Sequence, residues 1–148
     1  MNPTLDTQVR ALVYDGVMKN GSMPTFAEIA ATLSLPLDEV RAAAQRLADA
    51  HMLVLQPDTG EVLMANPFSA VPTPFLVRAG GVDYFANCIW DAFGIPSMLK
   101  RDAFIHASCS DCGQGMTLRV TNGKLESAEG LAHFVLPAKR WWEDIVFT

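Results

Sequence analysis

A chain of 148 residues with 50% hydrophobic content is long enough to fold as one compact domain, or as two small domains that share a core, and too apolar to be a disordered tail. Its net charge of −5, with four basic against eight acidic side chains in residues 1–70, argues against a nucleic-acid partner. Because no apolar run approaches the roughly 20 residues of a membrane span and no signal-peptide pattern opens the chain, we expect a cytoplasmic protein with no membrane partner.

The N-terminal region has the sequence pattern of three helices. Apolar residues at helical spacing predict a helix over residues 5–19, which ends near Gly21. Thr25 and Glu28 have the spacing of a capping box and mark the start of a second helix. A third helix begins near Pro36, since proline is favoured in the first turn.

A predicted hairpin follows these helices over residues 52–65, where two apolar runs flank Pro-Asp-Thr-Gly. Three helices and a hairpin predict a winged-helix-like domain over residues 1–66. The alternative is a packing module that binds no DNA, because a recognition helix usually has a basic excess. The third helix lacks that excess, with acidic Asp38, Glu39 and Asp49 against basic Arg41 and Arg46.

The stretch NPFSAVPTPF, residues 66–75, predicts a linker, because its three prolines disfavour a helix or a central strand. We therefore expect a second domain over residues 67–148. A strand and turn there lead into a helix predicted from about Tyr84 to Leu99, with Gly94 and Pro96 indicating a bend or a two-part helix.

The rest of this domain predicts mainly strands. Residues 103–127 read as strand, turn, strand, with Asn122-Gly123 as a tight hairpin turn. Residues 133–148 read as a strand followed by a short helix or strand. The predicted fold class is α+β: a winged-helix-like three-helix module with a hairpin, followed by a mixed α/β core domain with antiparallel strands.

Cys88 and Asp91 have the spacing of side chains on one face of a helix, so both can touch one substrate atom. A thiol at a helix start is stabilised as the thiolate by unpaired amide groups. A carboxyl packed among apolar residues has its pKa raised and can deliver a proton near neutral pH. The neighbours expected around it are Phe85, Trp90 and Phe93. The alternative is a buried structural cysteine and an aspartate that caps or pairs locally.

A second group of candidate ligands lies in HASCSDC, where His106, Cys109 and Cys112 are spaced as half of a zinc or redox site. A complete zinc site needs a fourth ligand, for which His133 and Cys88 are the candidates. A thioredoxin-like role is not better supported, because the pair lies between predicted strands. The alternative is that Cys109 packs inward and Cys112 lies in a loop.

The chain resembles the organomercurial lyases, also called alkylmercury lyases. The resemblance spans nearly the whole chain and includes PTFAEIAATLSLPLDEV and VPTPFLV. It is strongest in YFANCIWDAFGIPSMLKRDAFIHASCSDCGQGMTLRV, where Cys-x-x-Asp is followed by a further cysteine. The resemblance implies protonolysis of a carbon–mercury bond, which yields a hydrocarbon and an Hg(II) ion that passes to mercuric reductase.

The resemblance also implies roles for single residues. Cys88 matches the first catalytic cysteine and Asp91 the catalytic aspartate, both contacting the substrate, while Cys109 matches a structural cysteine. No cofactor or resident metal is expected, because the organomercurial substrate brings its own metal. A second catalytic cysteine is expected directly after PAKRWWEDIVFT, where this chain ends at Thr148. The resemblance therefore implies a truncated or divergent member. Because Cys112 is near Cys109 in the sequence, we hypothesise that Cys112 replaces that thiol as a substrate ligand.

Two other functions are compatible with these residues. One is a non-catalytic, thiophilic-metal-binding or metal-sensing regulatory protein that uses Cys88, Cys109 and Cys112. The other is a zinc-stabilised structural domain built on the cluster of His106, Cys109 and Cys112.

Overall fold

The fold is α+β, as predicted, in a computed structural model that describes residues 4–126 and 129–146. The helices are α1 (Leu5–Asn20), α2 (Phe26–Leu33), α3 (Leu37–Asp49) and α4 (Ile89–Leu99), with a 3-10 helix over Ala138–Glu143. The strands are β1 (Val54–Leu55), β2 (Val62–Ala65), β3 (Phe68–Ser69), β4 (Leu76–Ala79), β5 (Val82–Ala86), β6 (Ala103–Ser108), β7 (Gly115–Thr121) and β8 (Lys124–Leu125). These strands form one sheet in the order β1-β2-β3-β5-β4-β6-β7-β8, and every neighbouring pair is antiparallel.

The three N-terminal helices begin where the local sequence predicts, and α1 also ends there. In α2 the Thr25 N–H donates to the Glu28 carboxylate (2.7 Å), and the Glu28 N–H donates to Thr25 Oγ1 (3.2 Å), so the predicted capping box is confirmed. Gly21 ends α1 in the left-handed conformation (φ 76°), and its N–H donates to Val17 O (2.8 Å). None of the helices in the described ranges is both long and apolar enough to cross a membrane.

The core has two apolar clusters that α1 connects. Val9 and Val13 pack with α2, α3 and the β1–β2 hairpin, whereas Val17 packs with the sheet and α4. The Tyr84 hydroxyl in β5 donates to Met18 O in α1 (2.7 Å), which joins the two clusters further. The hairpin follows three helices, in the predicted order, while the winged-helix assignment and the division into residues 1–66 and 67–148 stay predictions.

The linker predicted over residues 66–75 contains a central strand, and that part of the prediction is wrong. β3 pairs with Met64 and Ala65 of β2 on one side and with β5 on the other. Phe68 is fully buried. The prolines at positions 67, 72 and 74 flank this two-residue strand, so neither of its N–H groups is lost to a proline ring.

The helix predicted from about Tyr84 begins only at Ile89, because Val82–Ala86 form a strand with partners on both sides. Tyr84 and Ala86 alternate into the core, as strand residues do. A short apolar run does not distinguish a buried strand from a buried helix by its own pattern. α4 then runs unbroken through Gly94 and Pro96 rather than in two parts.

The C-terminal part agrees with the prediction in one turn and differs in the tail. Asn122 and Gly123 both have positive φ (52° and 72°) and join β7 to β8, which confirms the hairpin turn. The strand predicted at the start of residues 133–148 does not form within the described part of that range; a 3-10 helix follows instead. Phe134 packs on Trp141 (ring centroids 5.1 Å apart), and the Trp141 Nε1–H donates to Leu136 O (2.9 Å), so the segment folds on itself. Residues 147–148, the last two of PAKRWWEDIVFT, lie outside the described residues.

Candidate active site

Cys88 and Asp91 lie at the junction of β5 and α4. Cys88 is the N-cap residue of α4 rather than part of the helix, with extended backbone (φ −151°). Its Sγ accepts a hydrogen bond from the Asp91 N–H (3.4 Å), in the position that a serine or aspartate oxygen takes at most helix starts. The two side chains therefore meet as predicted, but through helix capping rather than by sharing a helix face.

Both side chains line a small pocket with a cavity volume of about 70 Å³. Its walls come from the end of β2, the β5–α4 junction and the C-terminal segment: Met64, Asn66, Asn87, Cys88, Asp91, Phe134, Trp141 and Ile145. A larger cleft of about 270 Å³ lies between α4 and the β7–β8 end of the sheet, but none of the described residues that line it has a thiol or a carboxyl. We therefore place the candidate site in the smaller pocket.

The aromatic neighbours predicted for the Asp91 carboxyl are wrong. Trp90 is 67% exposed, Phe93 lines the larger cleft, and Phe85 does not line the site. Consecutive residues of a helix point about 100° apart, so Trp90 and Asp91 cannot both face the pocket. The apolar walls come instead from Met64 of β2 and from Phe134, Trp141 and Ile145 of the C-terminal segment, which no local pattern around Asp91 indicates.

The C-terminal segment is docked at two points by adjacent tryptophans. Trp141 lines the pocket, while Trp142 stacks on His51 beyond the end of α3 (centroids 4.1 Å apart, interplanar angle 7°). The two rings thus anchor the segment at two places, the pocket and the residues after α3.

Asn87 and Asn66 supply the polar part of the pocket, and the sequence analysis missed both. Asn87 Nδ2 donates to Asn66 Oδ1 (2.9 Å) and to Phe68 O (3.2 Å). Asn87 Oδ1 is buried and accepts no hydrogen bond from the described residues. The Tyr14 hydroxyl donates to Asn66 O (2.9 Å), so α1 also holds this edge of the pocket. The sequence offers one signal for Asn87 as a site residue, namely its position next to Cys88.

Burial raises the pKa of both reactive groups. For Asp91 the loss of solvent is the main cause, and hydrogen bonding with the side chains of Asn87 and Cys88 opposes it, so the predicted direction is confirmed. The Cys88 pKa is also raised, chiefly by burial, although the Asp91 N–H lowers it. The predicted thiolate stabilisation is therefore wrong in its net direction, because burial outweighs the helix terminus.

Cys109 and Cys112 lie outside this pocket, in the loop between β6 and β7. All three cysteines are free; Cys109 is partly buried and Cys112 is exposed. Backbone hydrogen bonds from Cys112 and Asp111, and then the Cys112 side chain, lower the Cys109 pKa, and burial opposes this only weakly. The role of Cys112 as a substrate ligand stays a prediction, since the structure does not bring it to Cys88.

The cluster of His106, Cys109 and Cys112 is not assembled as a zinc site. His106 Nδ1 lies 3.2 Å from Oγ1 of Thr117, its cross-strand partner in β7. Within residues 4–126 and 129–146, no three His, Cys, Asp or Glu side chains converge to hold a metal ion.

Comparison with known proteins places these observations in a family. Residues 68–148, more than half of the chain, match the alkylmercury lyase (MerB) family. The mercury-bound form of MerB2 has a similar fold, with a TM-score of 0.64 and 23% identity over 86% of this chain. This chain covers 60% of that protein, less than two thirds of its length. No curated protein matches the sequence. On the family match, which contains both Cys88 and Asp91, the chain belongs to the alkylmercury lyase family.

Proposed function

We propose that the protein cleaves the carbon–mercury bond of organomercurials by protonolysis, with Cys88 as the mercury ligand and Asp91 as the proton carrier. One observation carries the proposal: in a chain of the alkylmercury lyase family, a partly buried thiol and a partly buried carboxyl share one pocket. The family supplies the substrate class, and the geometry supplies the two groups that the reaction needs.

In the first step the Cys88 sulfur binds the mercury of an R–Hg(II) cation. Mercury is soft and accepts two ligands, so a thiolate is its preferred partner. Metal binding releases the thiol proton, which moves to the Asp91 carboxylate beside it. The raised Asp91 pKa favours this transfer, because a desolvated carboxylate holds a proton more strongly than one in water. The products of this step are a neutral R–Hg–S bond and a protonated Asp91.

In the second step Asp91 delivers that proton to the carbon attached to mercury. The electron pair of the carbon–mercury bond forms the new C–H bond, and the hydrocarbon leaves. Hg(II) remains on the Cys88 sulfur, next to an Asp91 that is again a carboxylate. A thiolate from solution then becomes the second sulfur ligand. A second solution thiol replaces Cys88 on the mercury and gives its proton to the Cys88 sulfur, so the Hg(II) leaves as a dithiolate complex and the free thiol is restored.

The apolar walls suit a substrate with a small organic group. Met64, Phe134, Trp141 and Ile145 face a cavity of about 70 Å³, which favours an alkyl group of methyl size over a larger aromatic one. The same walls exclude water from the proton that Asp91 holds. We propose no resident metal or cofactor, since the substrate carries the only metal that the reaction needs, and we propose mercuric reductase as the destination of the Hg(II).

The test is single-turnover cleavage of methylmercury with excess thiol, with hydrocarbon and Hg(II) measured separately. The intact chain is compared with Cys88→Ser, Asp91→Asn and the control Asp58→Asn, which changes a carboxyl in the β1–β2 turn. We expect Cys88→Ser to lose mercury binding and cleavage. Asp91→Asn should keep mercury binding and lower the cleavage rate by roughly 10²–10⁴-fold, the usual contribution of a positioned general acid.

Binding of methylmercury at Cys88 without hydrocarbon release from the intact chain would contradict the lyase and leave a mercury-sequestering protein. Cleavage that survives in Asp91→Asn at an unchanged rate would remove Asp91 from the mechanism. Phenylmercury, run beside methylmercury, tests the size of the pocket: we expect the smaller substrate to react faster.

A further inference from the structure

Two cysteines that the proposed mechanism leaves unused form a tight turn at the tip of the β6–β7 hairpin. The Cys109 N–H donates to Gln114 O (2.9 Å), and the Gly113 N–H donates to Cys109 O (2.9 Å). Gly113 has a positive φ of 71°, which a residue with a Cβ rarely adopts. These bonds close the segment Cys-Ser-Asp-Cys-Gly into a defined loop rather than an extended one.

The Gly113 N–H bond to Cys109 O closes a single turn, and residues three apart in such a turn are neighbours, so the loop places Cys109 and Cys112 side by side. The backbone N–H groups of Asp111 and Cys112, and then the Cys112 side chain, lower the pKa of the Cys109 thiol, which agrees with this placement. Both thiols are free, and Cys112 is exposed, so an ion from solution can reach the pair without opening the core. Backbone donors that point at a sulfur also stabilise the negative charge of a metal-bound thiolate.

We propose that Cys109 and Cys112 form a second metal site, separate from the pocket, that binds a soft, two-coordinate divalent ion such as Hg(II). Each thiol forms one S–metal bond and loses one proton, so a divalent ion gives a neutral complex with two protons released. No third His, Cys, Asp or Glu in the described ranges joins the pair to hold an ion. A tetrahedral Zn(II) site is therefore incomplete, whereas a linear Hg(II) complex needs only these two sulfurs.

The position of the pair relates it to Cys88. β5 and β6 lie on either side of β4 and are both antiparallel to it, so they run in the same direction and end at the same edge of the sheet. Cys88 follows the end of β5, and Cys109 follows the end of β6. Two strand spacings place the two ends roughly 10 Å apart. An Hg(II) ion released from Cys88 would thus leave beside the Cys109–Cys112 pair. This transfer from Cys88 rests on the proposed function, whereas binding of Hg(II) from solution by the pair does not.

The test uses the full chain in a Cys88→Ser background, which removes the pocket thiol and any cleavage. Hg(II) is added as its chloride with excess glutathione, and retained metal is counted by native mass spectrometry. We expect one Hg(II) per chain to be retained. A further Cys109→Ser or Cys112→Ser change should weaken retention by roughly 10²–10⁴-fold, the advantage that two linked ligands confer. Ser110→Ala, in the same loop with both thiols intact, is the control and should retain the ion.

Circular dichroism of each variant shows whether the fold is kept. The proposal is overturned by a folded Cys88→Ser chain that retains no Hg(II), or by retention that is unchanged after either cysteine is replaced. Zn(II) added in place of Hg(II) should not be retained; Zn(II) held more tightly than Hg(II) would also overturn a two-coordinate site. No variant in this series needs to cleave a substrate. Failure of the lyase assay and failure of Hg(II) retention at the dithiol are therefore measured independently of each other.

Discussion

Cys88 and Cys109 have the same local arrangement and the opposite chemistry. Each cysteine follows a strand, and the backbone N–H three residues later, that of Asp91 or of Cys112, lowers the pKa of its thiol. Yet the Cys88 pKa is raised and the Cys109 pKa is lowered. The difference lies in which cause is larger. Loss of solvent is the largest cause at Cys88, which lines the pocket under the C-terminal segment, whereas at Cys109 the hydrogen-bonding groups of Cys112 and Asp111 outweigh it.

Burial therefore decides the sign of the shift, and the hydrogen-bond pattern alone does not. The two environments suit different tasks. A desolvated thiol beside a desolvated carboxyl can hold a proton until a bond to carbon breaks, as the proposed cleavage requires. An accessible dithiol cannot exclude water, but it can exchange a metal ion with solution thiols.

The largest expected effect is a difference in thiol reactivity within one molecule. Iodoacetamide at neutral pH should modify Cys109 at least about tenfold faster than Cys88, because a raised pKa and a covered sulfur both reduce the thiolate available to react. Peptide mass spectrometry over time measures both rates in one sample. Equal rates would mean that burial does not separate the two sites.

The second effect comes from uncovering Cys88. Trp141→Ala removes a wall of the pocket, so we expect the Cys88 pKa to fall and its alkylation to speed up by about threefold to tenfold. The alkylation rate of Cys109 should not change. Trp142→Ala is the matched control, since Trp142 stacks on His51 and does not line the pocket. If both variants speed up Cys88 alike, release of the whole segment is responsible rather than loss of the wall.

A smaller effect comes from the charge of Asp91, which raises the Cys88 pKa less than burial does. Asp91→Asn should therefore lower the Cys88 pKa and speed its alkylation by about twofold to threefold above the Asp91 pKa, as expected of a screened charge pair. At a pH where Asp91 is protonated, the two proteins should react alike. Asp58→Asn again provides the control, and a slower Cys88 in Asp91→Asn would contradict the assigned interaction.

The smallest expected effect concerns stability. Protonation of Asp91 stabilises the folded chain fully below the unfolded pKa of about 4, and this contribution is lost as pH rises through the higher folded pKa. Asparagine is never ionised, so Asp91→Asn should raise the Tm at neutral pH by about 1–3 °C, and the gain should vanish below about pH 4. Thermal denaturation at both pH values measures it; a gain that persists at low pH would come from packing and not from charge.

Local patterns predicted much of this protein. Valine spacing in α1, the capping box of α2 and the Asn122-Gly123 turn each involve residues within a few positions of one another, so the sequence contains all the contacts that determine them. The Cys-x-x-Asp spacing likewise brought Cys88 and Asp91 together, because a helix start holds residues three apart in contact.

Tertiary structure decided the rest, for a physical reason that the same residues illustrate. β3 is a strand only because β2 and β5 lie on either side of it, and β5 is a strand rather than a helix because β3 and β4 pair with it. The sequence by itself determined which thiol and which carboxyl would meet. The packing of distant residues, Met64 of β2 and the C-terminal Phe134, Trp141 and Ile145, closes the pocket over Cys88 and Asp91, and burial there raises the pKa of both groups.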